Sequence, residues 1–205
     1  MIVLTADEGA RDRLAAALQA APVSCVVIRP PQHTAAEGST LAALVTTAQG
    51  VGAAALIADD AELAKSLGAD GVHLGPGPDL ADRHAAARAR LGRAGIVGVD
   101  AGQSRHDAMT AGESGADYIA FGLPAPESGP PDGAAARDEL VAWWAEVFEV
   151  PCVALDARDA GDARSLAESG ADFVALHVRD GEAPSEVANN LRAVASAVAG
   201  IVRAR

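Results

Sequence analysis

The sequence predicts an α/β fold, a single (β/α)8 TIM barrel, and three observations lead to this prediction. A tight Ala-Asp turn followed by a short apolar strand occurs three times, at residues 69–75, 115–122 and 170–176, about fifty residues apart. Such spacing is typical of every second unit in a βα repeat. The strands show no polar alternation, which indicates a parallel sheet covered on both faces. Eight strand–helix alternations without a dinucleotide-binding glycine fingerprint favour the barrel over the alternative, an open doubly wound sheet.

Eight short apolar runs are the predicted strands, and turn-forming residues such as Pro30 and Pro31 interrupt the chain between them. The predicted strands cover residues 2–5, 23–28, 53–57, 72–74, 95–99, 118–121, 152–155 and 173–176. The segments between the strands carry helical signals. Leu14 and Ala17 share one face at a helical period, and Asp79 and Ser104 are candidate caps.

The predicted helices cover residues 10–21, from Ser39 or Thr40 to about 49, 60–67, from the Asp79 cap to 91, from the Ser104 cap to 113, 135–147, 162–168 and 185–202. The longest predicted loop is 123–133, which contains four prolines.

Composition limits the class of protein and its partners. A chain of 205 residues, half of them apolar, predicts one domain over residues 1–205 with a substantial core. The net charge of −12 argues against nucleic acid or an anionic membrane as a partner and is typical of a solubilising surface. Cys25 and Cys152 head apolar runs and lack metal-ligand spacing, so we expect buried thiols. With no signal peptide and no apolar run of transmembrane length, we expect a cytoplasmic protein.

Polar residues gather where the predicted strands end, which is where barrels of this kind carry their active sites. In order, the strand ends hold Asp7, Arg29, Asp59 with Asp60, His73 with Gly75, Asp100, Gly122, Asp156, and His177 with Arg179. Carboxylates around such a mouth can hold Mg²⁺, which takes oxygen ligands and usually shares them with a substrate phosphate. The alternative for each single Asp is that it caps the following helix.

The basic residues at these strand ends have two interpretations each. Arg29 closes an apolar strand, where a planar guanidinium suits a phosphate or carboxylate ligand, or an ion pair with a neighbouring Asp. His73 lies within a strand and is either a hydrogen-bonded core residue or a catalyst. His177 and Arg179 flank one residue, so alternation places both on one side, after the strand where such barrels often bind phosphate. The remaining histidines, His33, His84 and His106, are expected on the surface.

Several of these segments resemble the thiamine phosphate synthase family, which includes the related thiazole tautomerases. The resemblance is carried by residues 57–64, 67–75, 98–99, 115–119 and 170–174, and it extends from about residue 2 to 200. It implies a (β/α)8 barrel and a role in thiamine biosynthesis. Family synthases are transferases that join a pyrimidine methyl diphosphate to a thiazole phosphate with Mg²⁺ and release pyrophosphate, through a pyrimidine carbocation that the thiazole nitrogen captures.

The resemblance also implies roles for individual residues. Arg29 matches the arginine that ends the second strand, Asp59 matches the first metal carboxylate, and His73 and Gly75 match the fourth-strand motif. The expected roles are catalytic for Arg29 and His73, substrate-binding for Asp100, Gly122, Asp156, His177 and Arg179, and Mg²⁺-binding for Asp59 and Asp79.

Other family positions are changed in this chain. Around the second, third and fourth strands, Val27, Pro31, Ala58 and Pro76-Gly77-Pro78 replace polar family residues. The family serine after strand five is Asp100, its phosphate-binding glycine pair after strand seven is Asp156-Ala157, and its small turn after strand eight is His177-Val178-Arg179. Residues 124–129 replace a lysine-containing phosphate loop, and Lys65 is the only lysine of the chain. Carboxylates repel a phosphate dianion unless a cation intervenes.

Three hypotheses follow. The chain is a divergent synthase with a rebuilt site that uses Arg29, Arg179 and a metal on Asp59 or Asp79. Alternatively, it is a non-catalytic relative, a pseudoenzyme, that binds a thiamine-related or cationic small molecule in an acidic mouth. The third hypothesis, an isomerase or aldolase on the same barrel, lacks a suitably placed Schiff-base lysine. The neighbouring residues Trp143 and Trp144 suggest a possible homodimer contact, with one of the two rings in the core.

Overall fold

The computed structural model describes residues 1–31, 38–123 and 133–201, and these residues form a closed parallel barrel surrounded by helices. The strands are β1 Ile2–Thr5, β2 Cys25–Arg29, β3 Ala54–Ala58, β4 Gly71–Leu74, β5 Ile96–Asp100, β6 Tyr118–Phe121, β7 Cys152–Ala154, β8 Phe173–Val174 and β9 Leu176–Val178. Consecutive strands pair from β1 to β8, and β9 pairs with β1 to close the barrel. The predicted (β/α)8 barrel is therefore confirmed.

The helices alternate with the strands, as the sequence predicts. They are α1 Ala10–Ala20, α2 Gly38–Gln49, α3 Ala61–Leu67, α4 Leu80–Leu91, α5 Arg105–Glu113, α6 Gly133–Val147, α7 Ala160–Glu168 and α8 Pro184–Val198. The prediction ended the last helix at residue 202, but α8 ends at Val198. Residues 124–129, which stand where the family has its phosphate loop, and His33 lie outside the described residues.

The eighth strand differs from its prediction. It was expected over 173–176, but the chain forms β8, changes partner at Ala175, and continues as β9 to Val178. The Ala175 N–H donates to the Ala154 carbonyl at 2.8 Å, whereas the next N–H, of Leu176, donates to the Met1 carbonyl at 3.2 Å. Because the strand leaves β7 and joins β1 at this point, His177 lies within the barrel wall.

The core has two layers, one inside the barrel and one between strands and helices. The interior is filled by the inward side chains Val3, Val27, Leu56, Tyr118, Ala120, Val153, Leu155 and Ala175. Tyr118 requires a glycine on the neighbouring strand, because a Cβ at Gly98 would fall on its ring. The outward faces of the strands pack against the helices, with Phe121 and the fully buried Trp144 among the largest contributors.

Helix starts agree with the sequence at some positions and not at others. Ser104 and Asp60 accept hydrogen bonds from the backbone N–H groups of Asp107 and Leu63, as N-caps do. Asp79 precedes α4 in a left-handed conformation, but its side chain makes no cap bond, so its predicted capping role is wrong.

The observed burial contradicts the prediction for one histidine and confirms the predicted burial for one of the two thiols. His84 was expected on the surface, yet it is 1% exposed, because it faces inward from α4. Cys152 is buried and Cys25 is half-buried, and burial raises the pKa of Cys25 to about 12. None of the helices in the described part of the chain is long and apolar enough to cross a membrane.

Candidate functional site

The strand register directs a group of charged side chains into the barrel at the carboxyl ends of the strands, which we call the mouth. Val27 points inward, so alternation directs Arg29 inward as well. His177 pairs with the inward residue Val3, and Asp100 pairs with the inward residue Ala120. The predicted residues of these strands therefore converge on one site.

The most tightly joined members of the mouth are Asp156 and His177. His177 Nδ1 lies 2.5 Å from Asp156 Oδ1, and the Leu123 N–H donates to Asp156 Oδ2 at 2.8 Å. Burial acts to raise the pKa of Asp156, but these hydrogen bonds and the nearby imidazole outweigh it and hold the pKa below its usual value. Asp156 thus remains an anion at neutral pH.

Asp100 is a second, more deeply buried carboxylate beside the first. Its Oδ1 accepts one hydrogen bond, from the Gly102 N–H at 2.8 Å. Burial raises the pKa of Asp100 to about 6, and the negative charge of Asp156 acts in the same direction. Gly122 lies between the two carboxylates, since a Cβ there would lie 3.0 Å from Asp156 Oδ2 and 3.6 Å from Asp100 Oδ2.

Backbone N–H groups at three strand ends already have carboxylate partners from the same chain. The Gly102 and Leu123 N–H groups donate to Asp100 and Asp156, and the Gly75 N–H donates to Asp59 Oδ1 at 2.7 Å. Backbone N–H groups of this kind are what a barrel would offer to a phosphate. Here they stabilise internal carboxylates and are not free to bind a phosphate.

His73 is a buried core residue. Its Nδ1 lies 2.7 Å from the Tyr118 hydroxyl oxygen, and the two rings stack with centroids 5.9 Å apart. Burial lowers the pKa of His73 to about 4, so the imidazole is neutral at pH 7. Of the two interpretations of this residue, the observed contacts match the hydrogen-bonded core histidine.

The two predicted arginines occupy different positions at the edge of the mouth. Arg29 is exposed and lines a cavity of about 180 Å³ together with Thr5, His177 and Arg179. The Arg179 side chain is 77% exposed, and its guanidinium lies 3.5 Å from Glu182 Oε1. A larger cavity of about 580 Å³ lies outside the barrel wall, between β9 and helices α7 and α8.

The predicted metal carboxylates do not fit a preformed magnesium site. Asp59 Oδ1 already accepts from the Gly75 N–H and lies 2.6 Å from Arg83 Nη2. Asp79 is exposed. Among the described residues, no three His, Cys, Asp or Glu side chains come together in a way that could hold a metal ion.

Two arginines that the sequence did not single out support the mouth. Arg83 binds Asp59, and the fully buried Arg137 donates to the carbonyls of Leu155 and Asp156 at 3.0 and 2.9 Å. Arg137 also forms an ion pair with Asp162 at 3.0 Å. Both lie on helices, where an arginine usually indicates a solvent-facing position, and no local pattern marks them as buried or bonded to the mouth.

Known proteins resemble this chain in sequence and in fold. A family model described as thiamine monophosphate synthase matches residues 2–178. A protein of Rhodospirillum centenum named thiamine-phosphate synthase is 41% identical over 80% of this chain and 78% of its own length. One of the same name from Erythrobacter litoralis is 42% identical over 71% of this chain and 67% of its own length.

Solved structures show the same fold at lower identity. A thiamine phosphate pyrophosphorylase from Pyrococcus furiosus superimposes with a TM-score of 0.79 at 21% identity, covering 98% of this chain and 96% of that one. A structure described as native KDPGal superimposes with a TM-score of 0.73 at 15% identity, over 98% of this chain and 94% of the other.

Proposed function

Since this chain belongs to the thiamine monophosphate synthase family, we propose that it binds a thiamine-related small molecule through a positively charged ring. One observation carries the proposal. The backbone N–H groups at the mouth that could hold an anion donate instead to Asp59, Asp100 and Asp156 of the chain itself. A thiazolium, the cationic ring of thiamine, complements such a mouth. A free diphosphate is repelled by it.

The ligand's charge has defined partners in the mouth. Asp100 and Asp156 carry the negative charge, and both carboxylates approach Gly122, where a Cβ would lie 3.0 Å from Asp156 Oδ2. The inward face of the barrel below them is apolar and includes Leu155 and Tyr118. The charge of a flat cationic ring at the mouth therefore faces two carboxylates, one of which is held by His177.

The test is saturable binding of thiamine, measured by calorimetry and by the rise in melting temperature that a ligand produces. Asp100→Asn and Asp156→Asn are expected to weaken binding at least tenfold. Glu146→Gln is the matched control, because it removes one negative charge at an exposed position of α6. Equal affinity for thiamine in the unmodified chain, the two Asp variants and the control contradicts the proposal.

A second candidate is the family's transferase activity, coupling of a pyrimidine methyl diphosphate to a thiazole phosphate. The observation that favours it is the 41% identity to a protein named thiamine-phosphate synthase. Arg29, exposed at the mouth, is the residue available to face the leaving diphosphate. Pyrophosphate release with both substrates and Mg²⁺ is the assay. Release that Arg29→Gln abolishes establishes this candidate, and no release beside an active control enzyme removes it.

A further inference from the structure

Arg83 occupies the position of a counter-cation at the predicted metal carboxylate. Its Nη2 lies 2.6 Å from Asp59 Oδ1, and its Nη1 donates to the Gly75 carbonyl at 3.0 Å. A carboxylate oxygen and a backbone carbonyl oxygen are the kind of ligands that hard divalent cations take. In this chain one guanidinium satisfies both oxygens.

The backbone holds this arrangement from both sides. Asp59 has a left-handed conformation, with φ of 57°, and its Oδ1 also accepts from the Gly75 N–H at 2.7 Å. The neighbouring Asp60 turns away and caps α3. Arg83 is in the first turns of α4, which begins just after the Gly75–Asp79 segment. The ion pair therefore ties the end of β3, the end of β4 and the start of α4 together.

A guanidinium differs from a metal ion in that it cannot dissociate from the protein, and it stays protonated throughout the usable pH range. A divalent cation bound at Asp59 Oδ1 would have to displace Arg83 or share the oxygen with it. Sharing brings three positive charges to one carboxylate, which is unfavourable. Asp59 is thus neutralised before any ligand arrives.

We propose that Arg83 is a built-in replacement for a divalent metal at Asp59, so that the mouth binds its ligand without metal. The statement about the metal depends only on the contacts of Arg83. The statement about the ligand rests on the proposed function, since it takes the ligand to be a thiamine-related cation.

The metal alone gives the first test. Manganese, a paramagnetic substitute for magnesium, is titrated into the protein and its unbound fraction is followed by electron paramagnetic resonance. Arg83→Ala is expected to bind Mn²⁺ at least tenfold more tightly than the unmodified chain. The double variant Asp59→Asn with Arg83→Ala is expected to lose that gain. Arg90→Ala is the matched control, because Arg90 lies on the same helix and pairs with Glu62 instead.

Two results of the Mn²⁺ titration overturn the proposal. One is tight Mn²⁺ binding by the unmodified chain that Asp59→Asn removes. The other is a folded Arg83→Ala protein that binds Mn²⁺ no more tightly than Arg90→Ala does. Arg83→Gln, which keeps a hydrogen-bond donor, supplies a second variant if Arg83→Ala does not fold.

The ligand gives the second test. Thiamine is titrated in excess chelator and again in excess Mg²⁺, and equal affinities are expected. An affinity that rises at least tenfold with Mg²⁺ overturns the metal-independent mouth. If thiamine binds under neither condition, the proposed function fails, while the Mn²⁺ titration still decides the role of Arg83.

Discussion

Asp100 combines a destabilising burial with a position at the mouth of the barrel. Its carboxylate is buried with one backbone hydrogen bond, and its pKa is raised to about 6. The pKa of such an acid is higher in the folded protein than in the unfolded chain. Its protonated form therefore contributes fully to stability below the unfolded-state pKa, and this contribution is lost as the pH rises through the folded-state pKa. Ionised Asp100 is therefore a cost to stability at neutral pH that a binding role explains.

Replacing Asp100 is expected to stabilise the protein and weaken the ligand at the same time. In Asp100→Asn the side-chain oxygen can still accept from the Gly102 N–H, but no charge is buried. We expect about 1–3 kcal/mol greater stability above pH 6, with the difference disappearing below pH 4. Urea unfolding at several pH values measures it. A less stable variant at pH 8 would contradict this account of the site.

The same titration sets the pH dependence of binding. Affinity for thiamine should rise as the pH increases through about 6, because Asp100 becomes ionised, and should level off near pH 7. The Asp100→Asn variant should bind weakly with little pH dependence over the same range. Calorimetric titrations between pH 5 and 8 test this. A profile that both proteins share would assign the pH dependence to another group.

His73 makes the core sensitive to acid. Its pKa is lowered to about 4 by burial, against an ordinary value near 6.5. The contribution of neutral His73 to the free energy of unfolding is fully present above about pH 6.5. About 3 kcal/mol of it is lost as the pH falls toward 4. In the variant His73→Gln this loss should be absent. The sharper measurement compares the pH dependence of stability with and without His73→Gln in a protein that also carries Asp100→Asn. This background is needed because the titration of Asp100 changes stability in the opposite direction over the same pH range.

At the level of elements, the segment between β7 and α7 depends on one buried arginine. Arg137 of α6 is 0% exposed. It donates to two carbonyls of that segment and also forms an ion pair with Asp162. Removing one partner of a buried ion pair leaves the other uncompensated. Arg137 therefore fixes the backbone from which the Asp156 side chain projects.

Arg137→Met is expected to reduce the free energy of unfolding by about 3–5 kcal/mol. Arg164→Met is the control, since Arg164 and Glu168 form an exposed pair whose loss should change stability by less than about 1 kcal/mol. Denaturant unfolding of both variants gives the comparison. Similar losses in the two proteins would show that the buried network contributes no more than a surface pair.

The helices and strands could be predicted where the sequence signal lies within the element itself. Contacts between residues far apart along the chain could not be predicted. Apolar runs and Ala-Asp turns are local, so the strands and helices of the barrel were found nearly in place. The change of partner at Ala175 depends on Met1 and Ala154, which no window around residue 175 contains. The bond between Arg83 and Asp59 spans 24 residues and was missed for the same reason. His84 has an unremarkable polar setting in sequence, and only the fold reveals its burial.

At the scale of the whole molecule, the chain has the barrel architecture of its family and carries carboxylates at the mouth. Of the residues that the resemblance singled out, Arg29, Asp59 and Gly75 lie at or directly after the ends of β2, β3 and β4, and His73 lies within β4. The sequence predicted that Asp100 and Asp156 differ from the family pattern. In the structure their carboxylates accept hydrogen bonds from neighbouring backbone N–H groups. The homodimer suggested by the tryptophan pair stays a prediction. Trp144 is in the core, and Trp143 is half-buried beneath the guanidinium of Arg105.

The most direct test of the acidic mouth compares thiamine with an analogue whose thiazolium is replaced by a neutral ring of the same shape. Calorimetric titration of both into the unmodified chain isolates the contribution of the ligand's positive charge. The account predicts that thiamine binds at least tenfold more tightly and that Asp156→Asn removes most of the difference. Equal affinity for the two compounds, or tighter binding of the neutral one, would contradict it.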